Sequence, residues 1–212
     1  MVQTASYTRP DLDKAALVTV DVQRDTLAGQ PFEIPGTSEA LPRIAEIAQV
    51  FRRCAQPIIH VIRLYRPDGS NAELCRRQKL ESGDQLFLSG SDGRKPAAEI
   101  MPAPDIVPDD ELLLAGQFQG IGPVEKLMYK PRWGAFFATP LHQEVTRLGC
   151  NTIVLAGINY PNCIRATLYG ASERDYRIIA VSDGISNFDA RGWQELKNIG
   201  VVVKSASELV HM

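Results

Sequence analysis

The chain has 212 residues, 44% of them hydrophobic and 23% charged, as in an ordinary globular protein with one substantial core. Its 23 basic and 25 acidic side chains give a net charge of −2 without a basic stripe or acidic tail, so we expect neither nucleic acid nor membrane as a partner. The N-terminal MVQTASYTRPDLDK has no apolar signal-peptide core, and no apolar stretch reaches membrane-spanning length, which predicts a cytoplasmic protein.

Short β-branched runs alternate with segments of helical periodicity along the chain. Strands are predicted at 15–22, 57–65, 125–130, 151–157, 176–183 and 200–205, and helices at 38–55, 139–149, 163–174 and 190–199. This order is typical of parallel strands joined by right-handed crossovers. We therefore predict a single α/β domain over residues 1–212, with a doubly wound, Rossmann-like, mostly parallel sheet of about six strands and helices on both faces.

The segment from 66 to 123 breaks this pattern. It is rich in glycine and proline, and apart from a helix near 71–82 it is predicted to form long loops. Long ordered loops usually carry function or oligomer contacts. Near its end, GQFQGIG (116–122) faintly resembles a dinucleotide-binding loop, but a proline and a strand follow where that motif requires a helix.

Cysteine and histidine residues form no local metal or redox motif. The four cysteines are Cys54, Cys75, Cys150 and Cys163. They include no C-x-x-C pair, and without a signal peptide we expect them to be reduced thiols. The three histidines lie far apart in the sequence, at His60, His142 and His211. The sequence therefore predicts no metal and no cofactor.

Three predicted strands end in residues of complementary chemistry. Ligands of open α/β sheets bind beyond the carboxyl ends of the strands. The first strand ends at Asp21, the third at Lys130, and the fourth leads through GINYPNC to Cys163, at the start of a predicted helix. A helix N-terminus and a neighbouring lysine both favour a thiolate, and such effects lower a thiol pKa from about 8.5 to roughly 3.5–7.5.

An acid, an ammonium and a thiol at one sheet edge indicate acyl transfer to sulfur, because the acid can carry protons to and from a leaving group. Each residue also has a plain structural interpretation. Asp21 could end a strand in a turn, Lys130 could be a solvated surface side chain, and Cys163 could be a buried packing thiol. Their occurrence in register favours the catalytic interpretation.

Several neighbours of these three residues are candidates for contact with substrate. Gln23 either orients substrate or caps the turn after the first strand. Trp133, Phe136 and Phe137 follow Lys130 and belong either to the core or to the pocket. We expect at least one of these aromatic residues in the pocket, since Gly134 permits close approach of the backbone.

Together the segments resemble the isochorismatase-like cysteine hydrolases, which include nicotinamidases, N-carbamoylsarcosine amidohydrolases and ureidoacrylate amidohydrolases. The matching segments are LVTVDVQ around Asp21, YKPRWGAFFATPL around Lys130, and TIVLAGINYPNCIRATLYGASERDYRIIAVSDGIS around Cys163. The resemblance implies the isochorismatase-like hydrolase fold and an Asp21–Lys130–Cys163 catalytic triad. It also implies a cis peptide bond between Ile158 and Asn159, and an oxyanion hole formed by the backbone N–H groups of Asn159 and Cys163.

The chain departs from this family pattern in two places. Metal-dependent nicotinamidases carry Asp-x-His and further histidines after the second strand, whereas IIHVIRLYRPDGSN contains only His60, so nicotinamidase activity is not expected. Tyr160, Pro161 and Asn162 replace the usual small residues before the nucleophile, and we expect them to reshape the pocket floor, with Tyr160 in contact with substrate. True isochorismatases lack the nucleophilic cysteine, so Cys163 favours acyl transfer over vinyl-ether hydrolysis.

The sequence thus predicts a cysteine hydrolase, active as a homo-oligomer (dimer or tetramer), that cleaves a C–N bond of a small amide or carbamoyl or ureido compound through a thioester. One alternative is a non-catalytic or redox-sensing Rossmann-like module with a reactive thiol. Another is an isochorismatase-type vinyl-ether hydrolase. Asp21 separates the first alternative from the prediction, because redox sensing needs a thiolate but no acid.

Overall fold

The computed structural model describes residues 7–210, which build a seven-stranded sheet. The strands are β1 (Ala15–Val20), β2 (Ile58–Ile62), β3 (Gln119–Gly122), β4 (Glu125–Tyr129), β5 (Thr152–Gly157), β6 (Arg177–Ile185) and β7 (Val202–Lys204). Their order in the sheet is β3-β4-β2-β1-β5-β6-β7, and all neighbours are parallel except the antiparallel pair β3 and β4. The predicted α/β class and mostly parallel sheet are confirmed.

Helices cover both faces of this sheet. They are α1 (Thr37–Arg53), α2 (Leu74–Glu81), α3 (Asp110–Leu114), α4 (Leu141–Arg147), α5 (Arg165–Ser172), α6 (Ala190–Asn198) and α7 (Ala206–Val210). α1, α3 and α7 contribute to the apolar cluster on one face, and α4, α5 and α6 to the cluster on the other. No helix within residues 7–210 combines the length and apolar character needed to cross a bilayer.

The central strands read as near-continuous apolar runs because both of their faces are covered. Every residue of β1 and β5 is buried, as expected for parallel strands between two helical layers. Along β1, Leu17 belongs to one apolar cluster while Val18 and Val20 belong to the other, the alternation that a pleated strand imposes. Burial on both faces therefore fixes which way each side chain of these strands points.

The sheet order brings four strand ends together. β4, β2, β1 and β5 are consecutive neighbours, with Ile62 opposite Tyr129 and Val20 opposite both Val61 and Gly157. Residues that leave these four strands therefore meet at a single edge of the sheet.

One strand more than the predicted six or so is present. The additional strand, β3, lies at the sheet edge inside the 66–123 segment and pairs only with β4. It has only four residues, two of them glycine, and its register shifts between Gly120 and Gly122. Such a strand has no alternation of apolar and polar residues from which it could be predicted. Its extended conformation depends on its pairing with β4. The same segment contains α2, close to the helix predicted near 71–82, and α3, which was not predicted.

Candidate active site

Asp21, Lys130 and Cys163 lie in direct contact at the carboxyl edge of the sheet. The Lys130 Nζ is 2.8 Å from Asp21 Oδ2 and 3.3 Å from Cys163 Sγ. All three residues are nearly inaccessible, with 5%, 0% and 4% of their surface exposed, respectively. The ammonium therefore links the carboxylate to the thiol in a site from which most water is excluded.

Backbone geometry holds Asp21 in place. Its φ of 54° lies in the left-handed region, and its N–H donates to the Val61 carbonyl over 2.8 Å. On the other side of β1, Gly157 has a φ of 132°, and a Cβ there would lie 2.3 Å from the Val20 carbonyl oxygen. Only glycine permits β5 to approach β1 this closely at the point where both strands enter the site.

Cys163 sits in a π-helical turn, Tyr160–Ile164, and α5 begins only at Arg165. The N–H groups of Asn162 and Ile164 both donate to the Asn159 carbonyl, at 3.3 and 3.2 Å. The peptide bond between Ile158 and Asn159 is cis. The sequence placed Cys163 at the first position of the following helix, whereas in the structure this wider turn brings its sulfur against Lys130.

The electrostatic balance at Cys163 differs from the expected one. Burial raises the pKa of the thiol above its ordinary value, and the negative charge of Asp21 raises it further. The positive charges of Lys130 and Arg63 oppose this shift without overcoming it. The prediction of a lowered pKa is therefore wrong for this structure, in which the surroundings of Cys163 favour the protonated thiol.

A third charged side chain, Arg63, belongs to this site beside Asp21 and Lys130. It follows β2 directly, and β2 lies between the strands that deliver Lys130 and Asp21. Arg63 is 1% exposed; its Nη2 donates to the Arg132 carbonyl over 2.7 Å, and its Nη1 forms an ion pair with Glu73. Burial by itself lowers the pKa of Arg63, but negatively charged neighbours, Asp21 and Glu73 among them, outweigh it and raise the pKa, so the guanidinium is charged.

Arg63 was not among the predicted site residues, although its position at the end of the second strand could have identified it. The second strand was predicted to run to residue 65, which placed Arg63 inside the strand and not at its exit. In the structure β2 ends at Ile62. The rule that identified Asp21 and Lys130, listing the residue that leaves each strand, identifies Arg63 once this boundary is known.

Gln23, a predicted substrate contact, is fully buried and bonded to backbone groups. Its Nε2 donates to the carbonyls of Arg63 and Arg94 at 2.8 and 2.7 Å, and its Oε1 accepts from the Arg63 N–H at 2.8 Å. These bonds tie the chain after β1 to the chain after β2 and to the 66–123 segment. Gln23 therefore holds these three segments together beside the site.

The aromatic candidates lie in different surroundings. The ring of Trp133 is half-buried, and the guanidinium carbon of Arg63 is 5.5 Å from its centroid. Phe136 is buried in the apolar cluster and stacks on Tyr176 at 5.8 Å, whereas Phe137 is 61% exposed.

Tyr160, expected on the pocket floor, packs against α6. Its ring is 4.8 Å from that of Phe188, and its hydroxyl donates to the Gly192 carbonyl over 3.2 Å. Among the predicted aromatic contacts, Trp133 is thus the one whose ring lies against a charged side chain of the site, that of Arg63. Contact of Phe136 or Tyr160 with substrate stays a prediction.

His60 takes part in a buried network inside the sheet. Its Nδ1 is 2.7 Å from Thr19 Oγ1, and its Nε2 is 2.6 Å from Glu125 Oε1, which also pairs with Arg52. Across residues 7–210, no group of three or more histidine, cysteine, aspartate or glutamate side chains is arranged to hold a metal ion.

Comparison with known proteins finds relatives along nearly the whole chain. Residues 15–207 match the family model described as the isochorismatase domain. A protein of Arabidopsis thaliana named as a probable inactive nicotinamidase is 26% identical over 200 residues, which cover 91% of this chain and 93% of that protein. Maleamate amidohydrolase of Pseudomonas putida is 27% identical over 177 residues, covering 82% and 73%.

The fold has close counterparts among solved structures. An isochorismatase family protein from Desulfovibrio vulgaris matches with a TM-score of 0.79 and 27% sequence identity, over 92% of this chain and 96% of that chain.

Proposed function

This chain belongs to the isochorismatase family of hydrolases, and we propose that it cleaves a carbon–nitrogen bond of a small amide or carbamoyl compound with Cys163 as nucleophile. The observation that carries the proposal is the position of the Lys130 Nζ between Asp21 Oδ2 and Cys163 Sγ. A relative named as a maleamate amidohydrolase supports an amide as the scissile group. A redox sensor needs an accessible thiol of low pKa and has no use for the buried Lys130 and Asp21 side chains.

In the first step, the Cys163 sulfur attacks the carbonyl carbon and its proton passes to Asp21. We assign the proton transfer to the attack itself because the raised pKa of Cys163 favours the protonated thiol, whose proton leaves as the C–S bond forms. While the S–H bond breaks, Lys130 stabilises the negative charge that develops on sulfur, as a fixed cation does best in a site from which water is excluded. Asp21 is left protonated and ready to act as an acid.

The tetrahedral oxygen needs hydrogen-bond donors, and we assign this role to the backbone N–H groups of Asn159 and Cys163. No acceptor for the Asn159 N–H is found among residues 7–210, so this donor is free for a ligand. A single donor to such an oxygen typically contributes about 2.7–4 kcal/mol of transition-state stabilisation.

In the second step, the C–N bond breaks and the departing nitrogen takes the proton from Asp21, which leaves a thioester on Cys163. A water molecule then gives a proton to Asp21 while its oxygen attacks the thioester carbonyl. The C–S bond breaks, sulfur takes the proton back, and the carboxylate is regenerated. Asp21 thus alternates between base and acid, which a single carboxylate next to the nucleophile can do.

Ammonia release from a panel of small amides and carbamoyl compounds tests the proposal. We expect cleavage of at least one compound, its loss in Cys163→Ala, and its retention in Cys54→Ala, which removes an exposed thiol. Mass spectrometry of rapidly quenched samples should show an acyl group on Cys163. Full turnover by Cys163→Ala would overturn the assignment of Cys163 as the nucleophile.

A further inference from the structure

A second guanidinium, that of Arg76 on α2, joins Arg63 beside the proposed catalytic residues. The guanidinium carbons of Arg63 and Arg76 lie 5.5 and 4.8 Å from the centroid of the Trp133 ring. Arg63 also shares the Arg132 carbonyl with Lys130, which donates to the same oxygen over 3.3 Å. The two arginines and the indole ring thus form a cationic, flat-walled border that is continuous with the site.

Glu73 is the carboxylate that pairs with this border, whereas Asp21, whose charge also acts on Arg63, pairs with Lys130. Glu73 is 5% exposed; its Oε1 pairs with Arg63, and its Oε2 accepts the Tyr65 hydroxyl proton over 2.6 Å. Arg76 donates to the same hydroxyl over 2.9 Å, and burial raises the pKa of Tyr65, so that hydroxyl stays neutral. In the part of the chain that the structure describes, no carboxylate oxygen lies within 4 Å of the Arg76 guanidinium.

Arg63 itself retains an unused donor. Its guanidinium is 1% exposed, yet its Nε has no hydrogen-bond acceptor within residues 7–210. A buried donor without an acceptor costs about 1–3 kcal/mol, more for a charged group, so such groups are rare unless a ligand supplies the acceptor. The border therefore has one positive charge without a paired carboxylate, on Arg76, and one N–H donor without an acceptor, the Nε of Arg63.

We propose that Arg63 and Arg76 bind a carboxylate of the substrate, with the Trp133 ring beneath it. The substrates are then small amides that also carry a carboxylate, such as the monoamide of a short dicarboxylic acid. This inference rests on the proposed function, since it assigns a chemical class to the substrate of the same site. The planar fork of a guanidinium matches a carboxylate better than any neutral group of similar size.

Protection of Cys163 from iodoacetamide tests this inference without any turnover. Malonate, succinate and glutarate serve as carboxylate probes, and succinamide serves as the neutral counterpart of succinate. Alkylation is measured by mass spectrometry of the peptide that contains Cys163. We expect at least one dicarboxylate to slow this alkylation, and succinamide at equal concentration to leave it unchanged. The exposed Cys54 on the far end of α1 provides an internal reference that none of the probes should protect.

Substitution of Arg76 identifies the group responsible. In Arg76→Gln, the dicarboxylate concentration that gives half-protection should rise about tenfold, the loss expected for one charged hydrogen-bonded pair. Arg76→Lys should retain part of the protection because it keeps the charge. Arg77→Gln is the matched control: Arg77 lies on the same helix and donates only to the Ser70 and Ala72 carbonyls, so protection should be unchanged. Thermal unfolding checks that each variant is folded.

Three results would overturn the inference: no protection by any dicarboxylate, equal protection by succinamide, or full protection in a folded Arg76→Gln variant. The outcome is separable from that of the proposed function. Hydrolysis of neutral amides without carboxylate protection would sink the inference alone. Carboxylate protection in a protein that cleaves no amide, including succinamate, would leave the anion site intact and refute the hydrolase.

Discussion

Arg63 and Lys130 donate hydrogen bonds to the same acceptor, the backbone carbonyl of Arg132, at 2.7 and 3.3 Å. Two cations that would otherwise repel each other are thereby held side by side next to the Cys163 sulfur. The acceptor is a main-chain atom three residues after the end of β4, so its position depends on the backbone that leaves the sheet and not on a side chain. The site thus contains more fixed positive charge than the Asp–Lys–Cys arrangement alone provides.

Asp21→Asn should separate thiol reactivity from catalysis. Removing the negative charge beside Cys163 lowers the thiol pKa, so iodoacetamide should modify Cys163 faster at neutral pH. Turnover should nevertheless fall by about 10²–10⁴-fold, because the leaving nitrogen loses its proton donor. Alkylation rates against pH and substrate turnover measure the two effects, with the exposed Asp13→Asn as control. Retention of full turnover would refute the role of Asp21.

Lys130→Ala should shift the same titration in the opposite direction. Without the ammonium, the pKa of Cys163 rises further, so alkylation at neutral pH slows and recovers only at higher pH. Lys126→Ala is a suitable control, because Lys126 lies on β4, the strand that leads to Lys130, but pairs with Glu144 away from the sulfur. An unchanged pH profile in Lys130→Ala would mean that the ammonium does not act on sulfur.

Replacing Arg63 requires a second substitution, since Arg63→Gln alone leaves the buried Glu73 carboxylate without its cation. In the double variant Arg63→Gln/Glu73→Gln, the pKa of Cys163 should lie above that of the wild type, because one nearby positive charge has been removed. Glu73→Gln alone provides the comparison. If the alkylation profiles of the double variant and the wild type coincided, Arg63 would have no effect on the nucleophile.

Gly157→Ala should disrupt the site through the backbone. The added Cβ would meet the Val20 carbonyl at 2.3 Å and push β5 away from β1, which moves Cys163 relative to Asp21. We expect a loss of about 3 kcal/mol or more in the free energy of unfolding, together with loss of turnover. Gly149→Ala is the matched control, because Gly149 also has a positive φ but no atom within 4 Å of the added carbon. It should cost only about 1–2 kcal/mol. Equal losses in both variants would contradict the steric argument.

His60 should contribute to stability in a pH-dependent way. Burial lowers its pKa, against the opposing effect of Glu125, so the folded state favours the neutral ring. Its contribution is therefore present above the ordinary histidine pKa of about 6.5 and is lost as the pH falls below it, by at most about 1.4 kcal/mol per pH unit. Chemical unfolding between about pH 7.5 and 5.5 should show a smaller pH dependence for His60→Gln than for the wild type. Identical slopes would show that His60 does not titrate in this way.

Much of the fold and the core of the site could be predicted because local patterns determine them. β1 and β5 are buried on both faces, so they can be recognised in the sequence as apolar runs. The residues that leave them were identified as site candidates because ligands of parallel sheets bind beyond the carboxyl ends of the strands. Asp21, Lys130 and Cys163 needed only this rule and their chemistry. Their contact in space depends on the order of the strands in the sheet. Sequence patterns indicate that the strands are parallel but do not give that order.

What could not be predicted depends on contacts between distant segments. Glu73 lies directly before α2 and Arg76 lies on it. The helix was predicted, but only its packing across Trp133 brings Arg76 to the site. The thiol pKa was predicted with the wrong sign because the depth of burial and the closeness of Asp21 are properties of the folded chain. Tyr160 was expected in the pocket, but its direction depends on α6, thirty or so residues further along.

The two edges of the sheet bear on how the protein resists aggregation. An exposed edge strand can recruit a strand of another chain, and short or irregular edges prevent this. At one edge, β3 has four residues and a shift in register, and at the other, β7 has three residues and ends in Lys204. Neither offers the long flat ladder that intermolecular strand pairing requires. We therefore expect copies of this chain to associate, where they do, through helices and loops, and to leave the sheet closed to extension.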